Sequence, residues 1–204
     1  RGSAVIDLDA DGIPDVVFGS TDSRGGGFVE IGALRALSGA DGRELFTVTD
    51  TTLAINAFSQ IAVADIDSDG RPEIILGDAS GNRLVAFEHD GTFKWRSPVL
   101  EDISWGGPAI ADLDGDGQPE IIMGRQVLNA DGSLRWTGTG GRGAIGFNLR
   151  LGPLSVVADT DLDGIPEVVA GNTVYRPDGT IKWQAPLTDG FVALGNFDDD
   201  PFPE

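Results

Sequence analysis

The sequence predicts an all-β chain of repeated four-stranded units, and three observations point there. A nine-residue pattern, Asp-x-Asp-x-Asp-Gly-x-Pro-Asp/Glu, runs from Asp7 to Asp15, Asp65 to Glu73, Asp112 to Glu120 and Asp159 to Glu167. Short apolar segments rich in β-branched residues flank each copy, as strands do. An Asp-Gly pair, with an aromatic residue five positions after the Asp, then follows at Asp41 (Phe46), Asp90 (Trp95), Asp131 (Trp136) and Asp178 (Trp183). Asp-Gly between apolar stretches is a strong hairpin signal.

Taken in chain order, each repeat supplies four strands. Segments such as Ile61-Ala62-Val63-Ala64 and Pro108-Ala109-Ile110-Ala111 lead into the acidic loops. Val16-Val17-Phe18, Ile74-Ile75-Leu76, Ile121-Ile122-Met123 and Val168-Val169-Ala170 follow them, so each loop is predicted to be the turn of a β-hairpin. Arg83 to Phe87 and Thr92 to Trp95 illustrate the third and fourth strands on either side of the Asp-Gly turn. The second-strand runs are apolar on successive residues, which predicts burial on both faces. The first loop positions 7, 65, 112, 159 and 196 are 58, 47, 47 and 37 residues apart. A period in this range with four strands per repeat predicts β-propeller blades. The expected repeats are 1–56, 57–103, 104–150 and 151–187, with 188–204 opening a fifth, all within one propeller domain. Because a half-blade closes nothing, the expectation is a portion of a larger ring of about seven blades, the alternative being a small ring of about four or five blades with irregular closure.

The loops carry the chemistry. Four carboxylates within nine residues repel one another unless a hard cation sits among them, and an all-oxygen set suits calcium. An EF-hand is excluded, since its twelfth position would fall on Phe18, Leu76, Met123 or Ala170, none of which ligates a cation. Position 9 closes the loop instead. The predicted ligands are therefore Asp7, Asp9, Asp11 and Asp15; Asp65, Asp67, Asp69 and Glu73; Asp112, Asp114, Asp116 and Glu120; and Asp159, Asp161, Asp163 and Glu167. The backbone carbonyls of Ile13, Arg71, Gln118 and Ile165 are added at position 7. Gly at position 6 permits the left-handed backbone that wraps the loop, and Pro at position 8 fixes φ before the last ligand. A run of Asx turns that merely satisfies local backbone donors is the plain alternative. The fifth copy offers Asn196, Asp198, Asp200, Phe202 (through its carbonyl) and Glu204, but Pro201 stands where the others have Gly. That loop must wrap differently.

These motifs resemble the FG-GAP or VCBS-type repeats, which form calcium-binding β-propellers such as the integrin alpha-subunit head and many secreted or surface bacterial proteins. The resemblance covers nearly the whole chain. It implies structural calcium at the Asp positions named above, four ions with a fifth at Asn196 to Glu204, and no single activity, since the scaffold serves adhesion, carbohydrate binding and, in some polysaccharide lyases, catalysis.

Composition narrows the choice. The net charge is -19, and 16 of the 33 acidic residues are ligand positions in the four complete loops. Nucleic acid and anionic membrane surfaces call for basic patches and are not expected partners. No apolar run approaches a membrane span of about 20 residues, and with no Cys the metals take the stapling role. Calcium sites of this class, needing external calcium on the order of 0.1 to 1 mM, predict a secreted or cell-surface protein. His89, the only His, reads as a turn residue rather than a base. Gly138-Thr139-Gly140-Gly141-Arg142-Gly143 lacks the context of a phosphate loop and reads as an inter-blade connection, as does Ser23-Arg24-Gly25-Gly26-Gly27.

The expected function is a calcium-stabilised extracellular binding or adhesion module without catalysis of its own. A polysaccharide lyase and a structural spacer are the competing classes; Lys94 and Lys182, the only lysines, both occupy the repeated fourth-strand position, which weakens the lyase. A protein or glycan ligand is expected on the face opposite the calcium loops, at variable connections carrying Arg24, Trp105, Arg142, Phe147, Asn148 and Arg150, with Trp105 and Arg142 foremost.

Overall fold

The computed structural model describes residues 2–21, 30–145, 151–198 and 200–203. Among these residues seventeen strands form four antiparallel sheets. The first sheet runs β1 (Ser3–Ile6), β2 (Asp15–Ser20), β3 (Ile31–Leu37) and β4 (Glu44–Thr47), and the short β5 (Ile55–Asn56) pairs with β3. The second runs β6 (Ala62–Ala64), β7 (Glu73–Gly77), β8 (Leu84–Phe87) and β9 (Phe93–Arg96). The third comprises β10 (Ala109–Ala111), β11 (Glu120–Met123), β12 (Gln126–Leu128) and β13 (Leu134–Thr137). The fourth comprises β14 (Val156–Ala158), β15 (Glu167–Ala170), β16 (Thr173–Tyr175) and β17 (Ile181–Gln184). In every sheet four strands pair in chain order, the up-and-down pattern of a propeller blade, with β5 as an addition to the first. No strand is found among the described residues beyond Gln184.

The chain divides into two compact units, Arg1–Gly107 and Pro108–Glu204. Each holds two blades joined by an apolar core. In the first unit Val17, Leu34 and Ala36 of the first blade meet Ile74, Leu76, Val85 and Phe87 of the second. In the second unit Ile122 and Val127 meet Val168, Ala170 and Tyr175. Fully burying an aliphatic or aromatic side chain of this size stabilises by about 1.5–3 kcal/mol. Packing of this kind covers one face of the second strands in each unit, and β7, β11 and β15 are buried along their whole length.

The first blade departs from the expected burial. Along β2 buried and more exposed residues alternate, with Val17 inside and Val16 exposed. Its core side packs on the second blade, while its other face, with Val5 and Val16, is open to solvent. The sequence run is apolar throughout, so the difference lies in what covers the strand.

The Asp-Gly turns couple neighbouring blades within a unit. Glu88 N–H donates to Thr92 O at 2.8 Å and Gly91 N–H to Glu88 O at 2.9 Å, closing a tight hairpin. Gly91 lies under the Phe46 ring of the preceding blade, and Gly179 under Trp136, whose Nε1 donates to Pro177 O at 2.9 Å. Within each unit the aromatic five residues after the first Asp-Gly pair thus covers the glycine of the second turn. The Gly138 to Gly143 stretch is likewise a packed connection. Gly138 sits against the Tyr175 ring, Tyr175 Oη donates to Gly141 O at 2.8 Å, and Gly141 N–H donates to Thr173 Oγ1 at 2.7 Å.

Candidate metal centres

Strand register builds each loop. The residue before position 1 pairs with position 9: Ile6 with Asp15, Ala64 with Glu73, Ala111 with Glu120 and Ala158 with Glu167. The closing carboxylate is therefore the first residue of the second strand and is held beside the first ligand by ladder hydrogen bonds. Position 2 anchors the loop from below, with Leu8, Ile66 and Leu113 buried. Its N–H donates to the closing carboxylate, as Leu8 to Asp15 Oδ2 at 2.8 Å, Ile66 to Glu73 Oε2 at 2.8 Å, Leu113 to Glu120 Oε2 at 2.9 Å and Thr160 to Glu167 Oε2 at 2.9 Å.

Position 1 organises the crest of the loop. Asp7 Oδ2 accepts from Gly12 N–H at 2.9 Å, Asp65 Oδ2 from Gly70 at 2.9 Å, Asp112 Oδ2 from Gly117 at 2.9 Å and Asp159 Oδ2 from Gly164 at 2.8 Å. The chain achieves this with two left-handed residues per loop. Position 6 is the expected Gly, with φ from +85° to +90°. Position 4 is the second, and there only the third loop has Gly (Gly115), whereas Ala10, Ser68 and Leu162 adopt φ of 61°, 63° and 59°. A left-handed conformation costs a non-glycine residue about 1–2 kcal/mol.

Carboxylates at positions 1, 3 and 9 converge in all four loops. Asp7, Asp9 and Asp15 place ligand atoms within 4.8 Å of one another, and so do Asp65, Asp67 and Glu73; Asp112, Asp114 and Glu120; and Asp159, Asp161 and Glu167. Two oxygens at calcium-ligand distance from one ion lie at most about 5 Å apart, so the spacing fits a single bound ion. In the first loop Asp9 Oδ1 is buried and has no hydrogen-bond partner, an oxygen without a counter-charge of its own. Position 5 behaves differently: Asp11, Asp69, Asp116 and Asp163 each accept the N–H of position 7 (Ile13, Arg71, Gln118, Ile165) at 2.7–2.8 Å. Asp69 also joins Glu73 and Glu88 in a further acidic group of the second blade.

A cation from the fourth strand enters three of the loops. Lys94 Nζ lies 2.6 Å from Asp67 Oδ2, 3.3 Å from Glu73 Oε1 and 2.9 Å from Glu88 Oε1. Lys182 Nζ lies 2.5 Å from Asp161 Oδ2 and 2.8 Å from Glu167 Oε1. Arg135 spans Asp114 and Glu120. Hydrogen bonds from these bases hold the Asp67, Asp114 and Asp161 carboxyls below their ordinary range. Burial pushes Glu73 and Glu120 upward, against the Ile66 and Leu113 amides and the nearby bases. Burial alone would lower the Lys94 pKa, but its hydrogen bonds to Asp67, Glu88 and Glu73 hold it above the ordinary value. The Lys94 and Glu73 shifts both run upward because burial, rather than their mutual attraction, dominates at Glu73.

The FG-GAP-like repeat family matches residues 7–76 and 65–123, which contain the first three of these loops. The chain belongs to that family. Among solved structures, the Vibrio cholerae biofilm matrix protein Bap1 is similar at 27% identity and a TM-score of 0.79, over 100% of this chain and 34% of Bap1. The exotype rhamnogalacturonan lyase YesX is similar at 20% identity and a TM-score of 0.62, over 90% of this chain and 38% of its own. A Bacillus licheniformis rhamnogalacturonan lyase follows at 18% identity and a TM-score of 0.51, over 90% of this chain and 46% of its own. The chain thus spans about a third of Bap1. The lyase likeness is one of fold. No protein matches in a search of the curated proteins.

The other predicted positions of this FG-GAP-like chain are placed as follows. In the fifth copy Asn196 Nδ2 donates to Asp200 O at 2.5 Å, and Asp200 and Phe202 N–H donate to Asp198 Oδ1 and Asp200 Oδ1, each at 2.8 Å. These are successive Asx turns, and Glu204 lies outside the described residues. Trp105 is partly buried, with φ of 64°, and its ring centroid is 5.7 Å from that of Phe58. Arg142 donates its backbone N–H to Asp189 Oδ2 at 2.8 Å, and Gly143 and Gly190 donate to Asp189 Oδ1. Asp189, absent from the sequence reading, thereby pins this connection. Arg24, Phe147, Asn148 and Arg150 lie outside the described residues, as do Ser23 and Gly25 to Gly27.

Loops and Asp-Gly turns share one end of each unit. In the first, Leu8 and Asp9 line a hollow of about 240 Å³ with Leu45, Phe46, Arg71, His89 and Asp90. In the second, Asp112 to Gly115 and Gly164 to Pro166 line a groove of about 480 Å³ with Arg176, Pro177 and Asp178. No helix among the described residues is long and apolar enough to cross a membrane.

Proposed function

We propose that this FG-GAP-like chain is a calcium-stabilised module of a secreted or cell-surface protein, one that binds a macromolecular or glycan ligand and performs no catalysis itself. The observation that carries the reading is the convergence of the same three carboxylates in four successive loops. Likeness to a biofilm matrix protein over the whole of this chain supports an extracellular, adhesion-type setting. The ion would be held by Asp7, Asp9 and Asp15 and by their counterparts in the other loops. It would supply positive charge where the chain has gathered negative charge, tying the first strand, the loop and the second strand of each blade. The loops and turns are stiffly built, so recognition is assigned to the connections at the other end of the blades, with Trp105 and Arg142 as the residues to vary.

Scanning calorimetry with calcium and with EDTA tests the metal. Each loop occupied at 100 times its Kd adds about 2.7 kcal/mol to stability, so the melting point should fall markedly on chelation. Equal melting points in the two buffers would refute it. A glycan array, repeated with Trp105→Ala and Arg142→Ala, tests the recognition surface. Binding unaffected by both changes but lost on altering Arg176 or Asp178 would put the surface at the loop end instead.

A further inference from the structure

We infer that Lys94, Arg135 and Lys182 are tethered counter-cations that contest the carboxylates of the second, third and fourth loops with calcium, leaving the first loop as the tight site. This rests on the calcium reading above and concerns how these particular loops divide the task. The three bases occupy one structural position, immediately before the aromatic residue of the fourth strand. From there each reaches both the position 3 and the position 9 carboxylates. The Lys94 and Lys182 side chains are 16% and 15% exposed and the closing Glu73 and Glu167 are buried, so solvent screening is weak at position 9, whereas Asp67 and Asp161 at position 3 are more open.

The first blade is the natural control. Leu45 stands where the others carry a base, and it packs into the core. The closing carboxylate there is Asp15, whose second oxygen accepts the Gly39 N–H at 3.0 Å rather than a cation. Arg43 approaches Asp9 from the Asp-Gly turn at 3.1 Å, but its side chain is 57% exposed and it engages one oxygen, leaving Asp9 Oδ1 without a partner. The longer Glu at position 9 and the base on the fourth strand thus occur together in three blades and are absent together in one.

Two oxygens held by an ammonium or guanidinium group must give up that partner, or share it, before a dication can use them fully. Calcium must therefore work against a base that spans two carboxylates in three loops, and in the first only against the exposed Arg43 on one oxygen of Asp9. The same tether keeps those three loops compact when calcium is scarce, because some of the mutual repulsion is already neutralised. The result is a chain with one site that fills first and three that fill as calcium rises, without loss of the blades in between.

Calcium titration by calorimetry of the wild type, Lys94→Met, Lys182→Met and Asp9→Asn, with circular dichroism on each, tests this. A tight step and weaker steps are expected in the wild type. Each Met variant should tighten one weaker step by about tenfold, within the usual range of coupling between two binding events, and should melt lower in EDTA. Asp9→Asn should remove the tight step. Unchanged or weaker affinities in both folded Met variants, or a tight step that survives Asp9→Asn, would overturn the inference while leaving the calcium reading intact. A wild type that takes up no calcium would sink both. A Met variant folded only with calcium would support the tether, and one unfolded even with calcium would show a packing role and overturn it.

Discussion

Replacing Gly91 by Ala separates two effects that the Asp-Gly turns combine, and Gly42 supplies the comparison within the same unit. Both glycines follow Asp in a turn between third and fourth strands, with φ of 83° and 74°. A Cβ at Gly42 meets nothing within 4 Å, whereas one at Gly91 would lie 2.5 to 2.9 Å from Cδ2, Cγ and Cε2 of Phe46. Gly42→Ala therefore incurs the left-handed penalty alone, about 1–2 kcal/mol. Gly91→Ala adds the displacement of a ring packed on the first-unit core, about 1–3 kcal/mol more for an overfilled site. For a chain of this size each kcal/mol lowers the melting point by about 2–4 °C, so falls of about 2–8 °C and about 4–20 °C are expected, the second always the larger. Thermal unfolding followed by circular dichroism, in calcium throughout, measures both. Equal losses for the two variants would refute the argument that the aromatic of one blade closes on the turn of the next.

Three further outcomes follow from the same geometry. Tyr175→Phe removes the buried hydrogen bond to Gly141 O and should destabilise by about 1–2 kcal/mol in denaturant unfolding. The Asp131 and Asp178 carboxyls are held below the ordinary value of 3.8 by hydrogen bonds from the Ser133 and Thr180 hydroxyls and then from their amides. A depressed folded pKa gives stability that is present above the unfolded value and is lost as pH falls through the folded one; acid unfolding in EDTA below about pH 4 should therefore become shallower in Asp131→Asn/Asp178→Asn. Burial raises the Glu73 pKa, which gives the opposite sign. Its contribution is fullest below the unfolded value and is lost as pH rises through the folded one, so Glu73→Gln in EDTA should gain stability relative to the wild type as pH rises from about 4 to 7.

The blade plan could be read from residue order because the acidic pattern and the strand register are the same fact seen twice. Position 9 is acidic and also the first residue of the second strand, so a nine-residue motif implies a hairpin of defined register. The Asp-Gly turns were equally readable, since two tight turns and an aromatic at fixed spacing leave little choice of pairing. Position 4 was not readable: Ala10, Ser68 and Leu162 show nothing of a left-handed backbone, and only Gly115 hints at it. The reason is that the loop imposes this conformation through the amides gathered by position 1, so the residue's own preference is overridden.

Nor was the convergence of positions 1, 3 and 9 plain in the spacing. Alternate Asp residues at positions 1, 3 and 5 look equivalent in sequence, yet past the left-handed crest one oxygen of position 5 accepts the position 7 amide, while positions 1 and 3 converge with position 9. The fourth-strand bases were visible as a repeated position, but their meaning depended on two turns of the chain folding them over the first hairpin. A lysine 27 residues after Asp67 carries no signal of contact in one dimension; pairing of β6 with β7, β7 with β8 and β8 with β9 delivers it. The charge of this chain is best understood at that level. The carboxylates that dominate its composition are arranged so that each loop is partly neutralised from within, by backbone amides everywhere and by a tethered base in three blades of four, and the remaining negative charge is what an ion would be bound to satisfy.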